Sequence, residues 1–296
     1  MRRSSFRLAC DRGLGEPMAA ELAQAGCEAL VRRYDGDRYL AALFAPTPLR
    51  PHLHALYAFN HEIARIAESV NEPMMAEIRR QWWRETIAEA ALGRARRHDV
   101  AEALCELFAR TAVEPSRFIG LIDARVRDDS SEAYASMAEL ESYADDTAGE
   151  VMRIAARILG AGDRLDPLSR AAGMAYGLTG LLRAMPYRAA RAKLDLPLDL
   201  MTQLELSRER LFAGEGGPAL QLALQAVAER ALRHLDAARA FQIDRGALAA
   251  FLPATLCGPY LRAMLRPGFD PFRQTSEIAQ WRRQLILLAR ALSARI

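Results

Sequence analysis

Apolar residues recur at helical spacing along most of the chain, and strand-like alternation is nowhere sustained. The clearest apolar stripe runs from Leu53 to Val70 and predicts a helix that faces inward along its whole length. Prolines at positions 46, 48 and 51 separate this helix from a shorter one over 38–44. The pattern therefore predicts an all-α protein.

Further helices are predicted on both sides of this stripe. They cover residues 16–31, 74–91, 100–111, 137–159, 167–185, 219–241 and 246–266, with one more opening at 115 and another running from 276 onward. The pattern of 137–159 is the longest without interruption, and Pro186 is expected to end the helix 167–185. Periodicity places Met18, Leu22, Ala25 and Ala29 on one side of the first helix. It places Ile78, Trp82 and Ile87 on the inward side of 74–91.

No internal repeat or flexible linker divides this pattern. We therefore expect one helical domain over residues 16–296, preceded by a loosely ordered N-terminus of residues 1–15. With 296 residues, 51% of them hydrophobic, the chain is long enough to bury a substantial core. No apolar run reaches the ~20 residues needed to span a bilayer, and the arginine-rich start lacks the apolar stretch of a secretory signal.

Charge and cysteine content narrow the possible functions. The formal net charge is +3 and basic residues are interleaved with acidic ones, so composition gives no argument for nucleic-acid binding. Lys193 is the only lysine, so lysine-based chemistry cannot be spread along the chain. The four cysteines are far apart and form no C-x-x-C pair, as expected in a reducing compartment without a zinc site or disulfide framework.

The predicted helix 53–70 begins a family resemblance. The run Tyr57-Ala58-Phe59-Asn60-His61, followed by Gln81-Trp82-Trp83-Arg84, resembles the first motif region of the squalene/phytoene synthases, which are all-helical prenyltransferases. In that family the helix then carries Asp-Asp-x-x-Asp, whose outer carboxylates hold magnesium against a prenyl diphosphate. The matching positions here include Ala64, Arg65 and Glu68, so one acid of the three is present.

The stretch from Gly173 to Pro197 resembles the second motif region of the same family. The positions that match the scaffold of that motif are Leu178, Thr179, Leu182 and Arg183, and Leu196-Pro197 match its closing loop. Ala184 and Arg188 stand where the family places two further metal-holding aspartates. The second motif region therefore keeps its frame and lacks both acids.

Two more landmarks extend the resemblance. Tyr143 to Gly149 resembles the Tyr-x-x-x-Val-Ala-Gly helix beside the family's substrate cavity, and Gly149 suits a close approach of helix backbones. Residues 252–272 resemble the C-terminal signature. The resemblance covers roughly residues 38–272 and implies an isoprenoid-synthase-like helical bundle around a central cavity.

The missing acids limit the chemistry that the resemblance carries over. A diphosphate bound with magnesium needs two or more carboxylates offered in concert from facing helices. Glu68 alone cannot assemble that cluster, and a desolvated arginine at position 188 would repel the metal. We therefore expect no catalytic residues of the family type, no metal ligands and no cofactor.

Acids close to the lost motifs leave two interpretations open. A relocated magnesium site would draw on Asp145, Asp146 and Glu150, with His61 and Glu62 just upstream of the first motif. In the competing interpretation, the three acids of 145–150 form a solvated or salt-bridged face towards Arg153 and Arg157.

Six side chains are candidates for lining the cavity or binding an anion. They are Tyr57, His61, Arg65, Tyr143, Arg183 and Arg188. Arg65 and Arg188 replace acids at facing positions, so they suit a phosphate or lipid head group without metal. Alternatively, the two arginines pair with Glu62, Glu68 or Asp145. His61 either faces the cavity or is a hydrogen-bonded histidine of the core.

The substituted positions themselves resemble one branch of the family. Residues Arg183 to Tyr187, with Ala58-Phe59-Asn60 and Asn71-Glu72-Pro73, are similar to a branch that acts in the assembly of respiratory complex I, the membrane NADH dehydrogenase. That branch is regarded as non-catalytic. The resemblance implies respiratory-complex subunits or assembly factors as partners. It also implies a cytoplasmic location, peripheral at the inner membrane, or the matrix side if the source is eukaryotic.

Three functions stay open. They are a non-catalytic assembly protein that also binds a lipid or phosphate in the old prenyl site, a magnesium-dependent head-to-head prenyltransferase with a rebuilt metal site, and a lipid carrier. The first predicts a partly filled cavity, the second at least three converging acids, and the third an open apolar tunnel of the length of an isoprenoid. For membrane attachment the sequence offers the segment 253–264 and the basic helix from Trp281, both equally suited to the core.

Overall fold

The computed structural model describes residues 16–70 and 72–296, so the predicted loosely ordered N-terminus, residues 1–15, lies outside the described residues. This part of the chain contains fifteen α-helices and no β-strand, which confirms the all-α prediction. The helices are α1 (Glu16–Tyr34), α2 (Gly36–Ala42), α3 (Arg50–Ala64), α4 (Ile66–Ser69), α5 (Pro73–Ala91), α6 (Asp99–Arg110), α7 (Pro115–Ala124), α8 (Met137–Ala144), α9 (Glu150–Ile158), α10 (Asp166–Ala189), α11 (Leu198–Gln203), α12 (Arg208–Phe212), α13 (Pro218–Arg239), α14 (Cys257–Met264) and α15 (Gln280–Ser293).

Local sequence signals set many of the helix ends. Proline lies in the first turn of α3, α5, α7, α10 and α13, where its missing N–H has no helical partner to lose. The side chains of Asp35 and Ser136 accept hydrogen bonds from backbone N–H groups in the first turns of α2 and α8. Gly160, with a φ of +82°, follows the end of α9.

The second-motif helix is longer than the sequence predicts. Helix α10 has 24 residues and contains Pro186, so the expectation that this proline ends the helix is wrong. The last turn holds because carboxylates from other parts of the chain engage its side chains: Tyr187 bonds to Glu68 and Arg188 pairs with Asp195. These contacts offset the lost backbone hydrogen bond and keep positions 184 and 188 on one helix.

The first-motif helix is shorter than predicted. Instead of one helix over 53–70, α3 ends at Ala64 and the single turn α4 follows after Arg65. Arg65 has a ψ of −12°, and the backbone N–H of Glu68 bonds to the carbonyl of Arg65. The apolar residues of α3 are buried as expected, but Arg65 and Glu68 are exposed.

The buried faces of α1 and α5 differ from the predicted ones. Met18 and Leu22 are 61% and 67% exposed, and the buried side of α1 consists of Ala23, Cys27 and Val31. Small residues are required there, because a Cβ added at Gly26 would lie 2.3 Å from Asp99 Oδ2 at the start of α6.

On α5 the prediction is correct for Ile87, which is fully buried, but Ile78 is 54% exposed and Trp82 is half-buried. The large buried side chains also include Arg80 and Trp83. Arg80 is tolerated inside because it forms ion pairs with Asp129 and Glu77.

The centre of the fold is the crossing of α10 over the turn between α8 and α9. Residues Asp145–Gly149 form a π-helical turn that joins α8 to α9. At the crossing, a Cβ added at Gly173 would lie 2.2 Å from the Cα of Gly149. The expected close backbone approach at Gly149 is therefore present. It sets α10 beside α8, where the two helices form one wall of a cleft.

Candidate functional site

The cleft has a volume of about 210 Å³ and lies between α2, α4, α8 and α10. Its charged and aromatic lining comprises Arg38, Arg125, Arg188, Glu68, Tyr143, Tyr176 and Tyr187, and small residues such as Ala184, Gly177 and Gly180 complete it. Three guanidinium groups and one carboxylate thus face a space smaller than the ~300–1,000 Å³ of typical ligand pockets.

The matched motif positions meet at this cleft, but with altered chemistry. Glu68, Ala184 and Arg188 all line it. The carboxylate of Glu68 accepts a hydrogen bond from the hydroxyl of Tyr187, 3.1 Å away. This contact spans the gap across which the squalene/phytoene synthases are expected to hold magnesium.

Arg188 is tied to a buried acid that the sequence did not single out. Its Nε lies 2.5 Å from Asp195 Oδ2 without the alignment of a hydrogen bond, and its Nη1 lies 3.7 Å from Asp128 Oδ1. Burial raises the pKa of Asp195 from 3.8 to about 6, although the charge of Arg188 acts in the opposite direction. The alternative in which Arg188 forms an ion pair is therefore correct, but its partner is Asp195 rather than the acids named from the sequence.

Arg125 and Tyr143 form a second polar cluster against the cleft. The hydroxyl of Tyr143 donates a 2.7 Å hydrogen bond to Asp128 Oδ1 and accepts one of 2.9 Å from Arg125. Arg125 also pairs with Asp128, and the amine of Lys193 donates to the backbone carbonyl of Asp128. Asp128 is thus enclosed by donors, and burial raises the pKa of Tyr143 so that its hydroxyl stays protonated.

Arg38 is the third arginine that lines the cleft, after Arg188 and Arg125. Its guanidinium bonds to Asp35 at 3.0 Å and lies over the rings of Tyr57 and Tyr176, at 5.5 Å and 4.8 Å from their centroids. Tyr57, predicted as a cavity residue, is instead buried behind Arg38. The cavity face at this point belongs to Arg38.

Three other predicted cavity residues, Arg65, His61 and Arg183, do not line the cleft. Arg65 lines a separate pocket of about 250 Å³ with Trp82 and Trp83, so the expectation that it faces Arg188 is wrong. The break between α3 and α4 turns it outward.

His61 stacks on Tyr34, with ring centroids 4.5 Å apart, and does not line the cleft. Its Nε2 is buried and has no hydrogen-bond partner among the described residues, so it is not the hydrogen-bonded core histidine of the alternative either. Burial lowers its pKa.

Arg183 binds Glu277 at 2.5 Å, approaches Asp37 at 3.7 Å and lies over the ring of Tyr260.

Asp145 and Glu150 form salt bridges, whereas Asp146 accepts a 3.4 Å hydrogen bond from the hydroxyl of Ser142. Arg153 pairs with Asp145 and Glu150, and Arg117 reaches Glu150 at 2.7 Å. The interpretation as a salt-bridged face is correct towards Arg153, whereas Arg157 binds Asp163 and Asp166 instead. Within residues 16–70 and 72–296, no group of three or more His, Cys, Asp or Glu side chains is placed to hold a metal ion.

The donor set of the cleft does not fit the magnesium-bound diphosphate of the synthases. Magnesium requires oxygen ligands in near-octahedral geometry, usually carboxylates shared with substrate phosphates. Here Glu68 is bonded to Tyr187, and the two buried acids near the cleft, Asp128 and Asp195, are each engaged by arginine. A groove of about 400 Å³ beside Glu68 contains Asp129, but that acid is paired with Arg80.

Sequence reasoning missed much of this site. Arg38, Arg125 and Asp128 lie outside both motif regions, and only the spacing of 125 and 128, one helical turn apart, hints at a pair. Asp195 directly precedes the Leu196-Pro197 loop that was recognised. Its position next to the closing loop is the sequence feature that could have identified Asp195 as a residue of the site.

The fold and the cleft together define an isoprenoid-synthase-like helical protein. The sequence model of the squalene/phytoene synthase family matches residues 31–285, and the chain belongs to this family. It is 30% identical over 249 residues to NADH dehydrogenase (ubiquinone) complex I, assembly factor 6, of Mus musculus, a match that covers 83% of this chain and 75% of the relative. It is also 27% identical over 275 residues to the phytoene synthase of Thermus thermophilus, which covers 90% of this chain and 91% of that one.

Solved structures agree on the fold. A dehydrosqualene synthase in complex with ligand superposes with a TM-score of 0.82 at 17% identity, over 94% of this chain and 98% of that chain. A squalene synthase from Alicyclobacillus acidocaldarius gives a TM-score of 0.66 at 21% identity, over 95% and 97% of the two chains. At these identities the likeness concerns the architecture alone.

Proposed function

We propose that this chain is a non-catalytic member of the squalene/phytoene synthase family that acts in the assembly of a membrane respiratory complex of the NADH dehydrogenase type. The observation that carries the proposal is the altered cleft, in which Ala184, Arg188 and a hydrogen-bonded Glu68 occupy positions expected to supply metal-binding carboxylates. The 30% identity to a complex I assembly factor supports the biological role. Its partners would be subunits or assembly factors of that complex.

The proposed location is the cytoplasmic face of the inner membrane, or the matrix side if the source is eukaryotic. Among the residues that the structure describes, no helix is long and apolar enough to cross a membrane. A peripheral position would bring the protein to subunits of a membrane-bound complex.

The assembly role is tested by deleting the gene in its source organism. We expect membranes of the deletion strain to lose assembled NADH dehydrogenase on native gels, together with NADH:quinone oxidoreductase activity. The wild-type gene and Glu68→Ala should both restore the complex, because the proposed role does not need the last motif acid. Unchanged complex in the deletion strain contradicts the proposal.

We further propose that the cleft binds a phosphate-bearing head group without metal. Arg38, Arg125 and Arg188 supply guanidinium donors suited to phosphate oxygens, and the volume of about 210 Å³ suits a head group better than a whole isoprenoid chain. An open tunnel, as the lipid-carrier hypothesis requires, is not part of this cleft.

Calorimetric titration with inorganic pyrophosphate and with farnesyl diphosphate in EDTA tests this ligand. We expect binding that magnesium does not improve and that Ala184→Leu abolishes by filling the cleft. Leu222→Ala on the exposed side of α13 is the control and should bind normally. Binding that appears only with magnesium contradicts the metal-free site.

A magnesium-dependent prenyltransferase is the second candidate, favoured by the 27% identity to a phytoene synthase over 90% of this chain. It requires a metal site rebuilt from other acids. The described acids near the cleft are engaged by arginine or tyrosine, so this candidate ranks behind the first.

A further inference from the structure

The C-terminal helix α15 has apolar residues on two sides. Leu287 is fully buried on the side of the helix that packs against the turn of residues 252–256 and against α2. On the opposite side, four large apolar side chains face solvent: Trp281, Leu285, Leu288 and Leu292, exposed by 58%, 56%, 47% and 69%. Their spacing of four, three and four residues places them in one continuous stripe. We call these four residues the outer stripe.

Salt bridges and hydrogen bonds hold the outer stripe towards solvent. Arg283, on the protein side of α15, pairs at 2.8 Å with Asp37, which is buried and also accepts a 2.8 Å hydrogen bond from Tyr260. A charged anchor of this kind fixes the rotation of the helix about its axis. The stripe therefore cannot turn inward without breaking a buried ion pair.

The charge around the outer stripe is mainly positive. Residues 278–296 contain four arginines and no acid, whereas the whole chain has a net charge of only +3. Beside Trp281, a groove of about 750 Å³ between α14 and α15 exposes Arg262, Arg266 and Arg282. None of these three forms a salt bridge with a described residue, and the groove's one acid, Glu277, is bound to Arg183.

This combination of features selects among possible occupants. A second copy docking by two-fold symmetry would bring the same arginines against each other, which is unfavourable. An anionic lipid surface is complementary to both the apolar stripe and the positive charge, because its acyl region accepts leucine and its head groups attract arginine. Trp281 at the start of the stripe suits the boundary between these two layers.

We propose that the outer stripe and the groove arginines Arg262, Arg266 and Arg282 form a docking surface for an anionic lipid bilayer. The inference rests on the proposed membrane location and names the surface that produces it. In the other segment considered from the sequence, residues 253–264, Arg262 is the one exposed side chain, and it takes part as one of the groove arginines. Bound in this way, α15 would lie parallel to the membrane plane.

Flotation of the full chain with lipid vesicles tests the surface directly. With phosphatidylglycerol mixed into phosphatidylcholine, we expect the protein to float with the vesicles and the tryptophan emission to shift to the blue. Pure phosphatidylcholine should bind far less. Because the vesicles contain no respiratory subunit, the result is independent of the assembly role, and failure of one leaves the other standing.

Matched variants assign the binding to the stripe. Leu285→Gln with Leu288→Gln should reduce bound protein by about tenfold, since both side chains would leave the acyl region. Leu222→Gln, 53% exposed on α13, is the control and should bind like the wild type. Replacing Arg262, Arg266 and Arg282 by Gln should weaken binding to anionic vesicles and remove most of its salt dependence. Leu285, Leu288 and the control residue Leu222 are all exposed, so thermal unfolding should be unchanged.

Three outcomes would overturn the proposal. The first is a wild-type chain that fails to float with anionic vesicles. The second is equal binding by the double glutamine variant and the wild type. The third is a dimer, detected by sedimentation, that the glutamine variant abolishes while vesicle binding is absent, because the stripe is then an interface between copies.

Discussion

The hydroxyl of Tyr187 donates a hydrogen bond to the carboxylate of Glu68 across the mouth of the cleft, at 3.1 Å. Glu68 is the one acid left in the first motif, and Tyr187 stands next to the lost metal position at Arg188 in the second. The two motif regions therefore still meet, as they must in a bundle of the synthase type. They meet through a neutral hydroxyl and a guanidinium, which alters the chemistry at the same place in the fold.

The pair of Arg188 and Asp195 predicts a large effect on stability. Arg188→Met should lower the free energy of unfolding by about 3 kcal/mol, because it leaves Asp195 buried without its counter-charge. Urea denaturation measures the change. Arg210→Met, at an exposed ion pair with Glu215, is the matched control and should change the free energy by less than about 0.5 kcal/mol.

A double variant separates the charge effect from simple loss of packing. Combining Arg188→Met with Asp195→Leu should restore much of the stability lost in the single variant, since the unpaired charge is gone. If the double variant is as unstable as the sum of both single changes, Asp195 is not the partner that makes Arg188 necessary.

Asp195 also predicts an unusual pH dependence. Its pKa is raised by burial from 3.8 to about 6, so the folded protein binds this proton more tightly than the unfolded chain. The contribution of Asp195 to stability is therefore complete below about pH 4 and is lost as the pH rises through about 6, by about 3 kcal/mol in total.

The measurement is the free energy of unfolding between pH 4 and pH 7 for the wild type and Asp195→Asn, a window set by the pKa near 6. The wild type should lose stability relative to the variant as the pH rises, because asparagine does not titrate. A difference that grows in favour of the wild type with rising pH would mean that Arg188 lowers the pKa of Asp195 instead.

Two glycines of α10 make a matched test of the helix crossing. Gly173→Ala should destabilise the protein by about 3 kcal/mol or more, because the new Cβ would lie 2.2 Å from the Cα of Gly149. Gly180→Ala, where nothing lies within 4 Å of the added Cβ, should stabilise it by about 0.5–1 kcal/mol. Chemical denaturation of both variants decides the matter. Equal effects would place the close approach elsewhere.

The sequence was sufficient for the fold and for the meeting of the two motifs. Helical periodicity and prolines at helix starts identify most helices, and motif matching places Glu68, Ala184 and Arg188 at one cleft. Periodicity failed where small residues form the buried side of a helix, as with Ala23 and Cys27 on α1. There the largest apolar side chains are exposed, so the size of a side chain does not indicate which face is buried.

What the sequence did not reveal depends on contacts between distant segments. Pro186 remains inside α10 because the next two residues are held by distant acids. Glu68 binds Tyr187, and Asp195 binds Arg188. Arg65 turns outward because α3 ends one residue before it. The contact of the Arg38 guanidinium with the ring of Tyr57 was not predicted, because Arg38 belongs to neither motif region. Such partners are set by tertiary packing, which a single sequence does not display.

The central claim is that this family member no longer ionises prenyl diphosphates, and one assay tests it most directly. Purified protein is incubated with farnesyl or geranylgeranyl diphosphate and magnesium, and released diphosphate is measured beside an active synthase of the same family. We predict release no faster than without protein. Turnover that is lost in Glu68→Ala would contradict the claim and establish a rebuilt metal site.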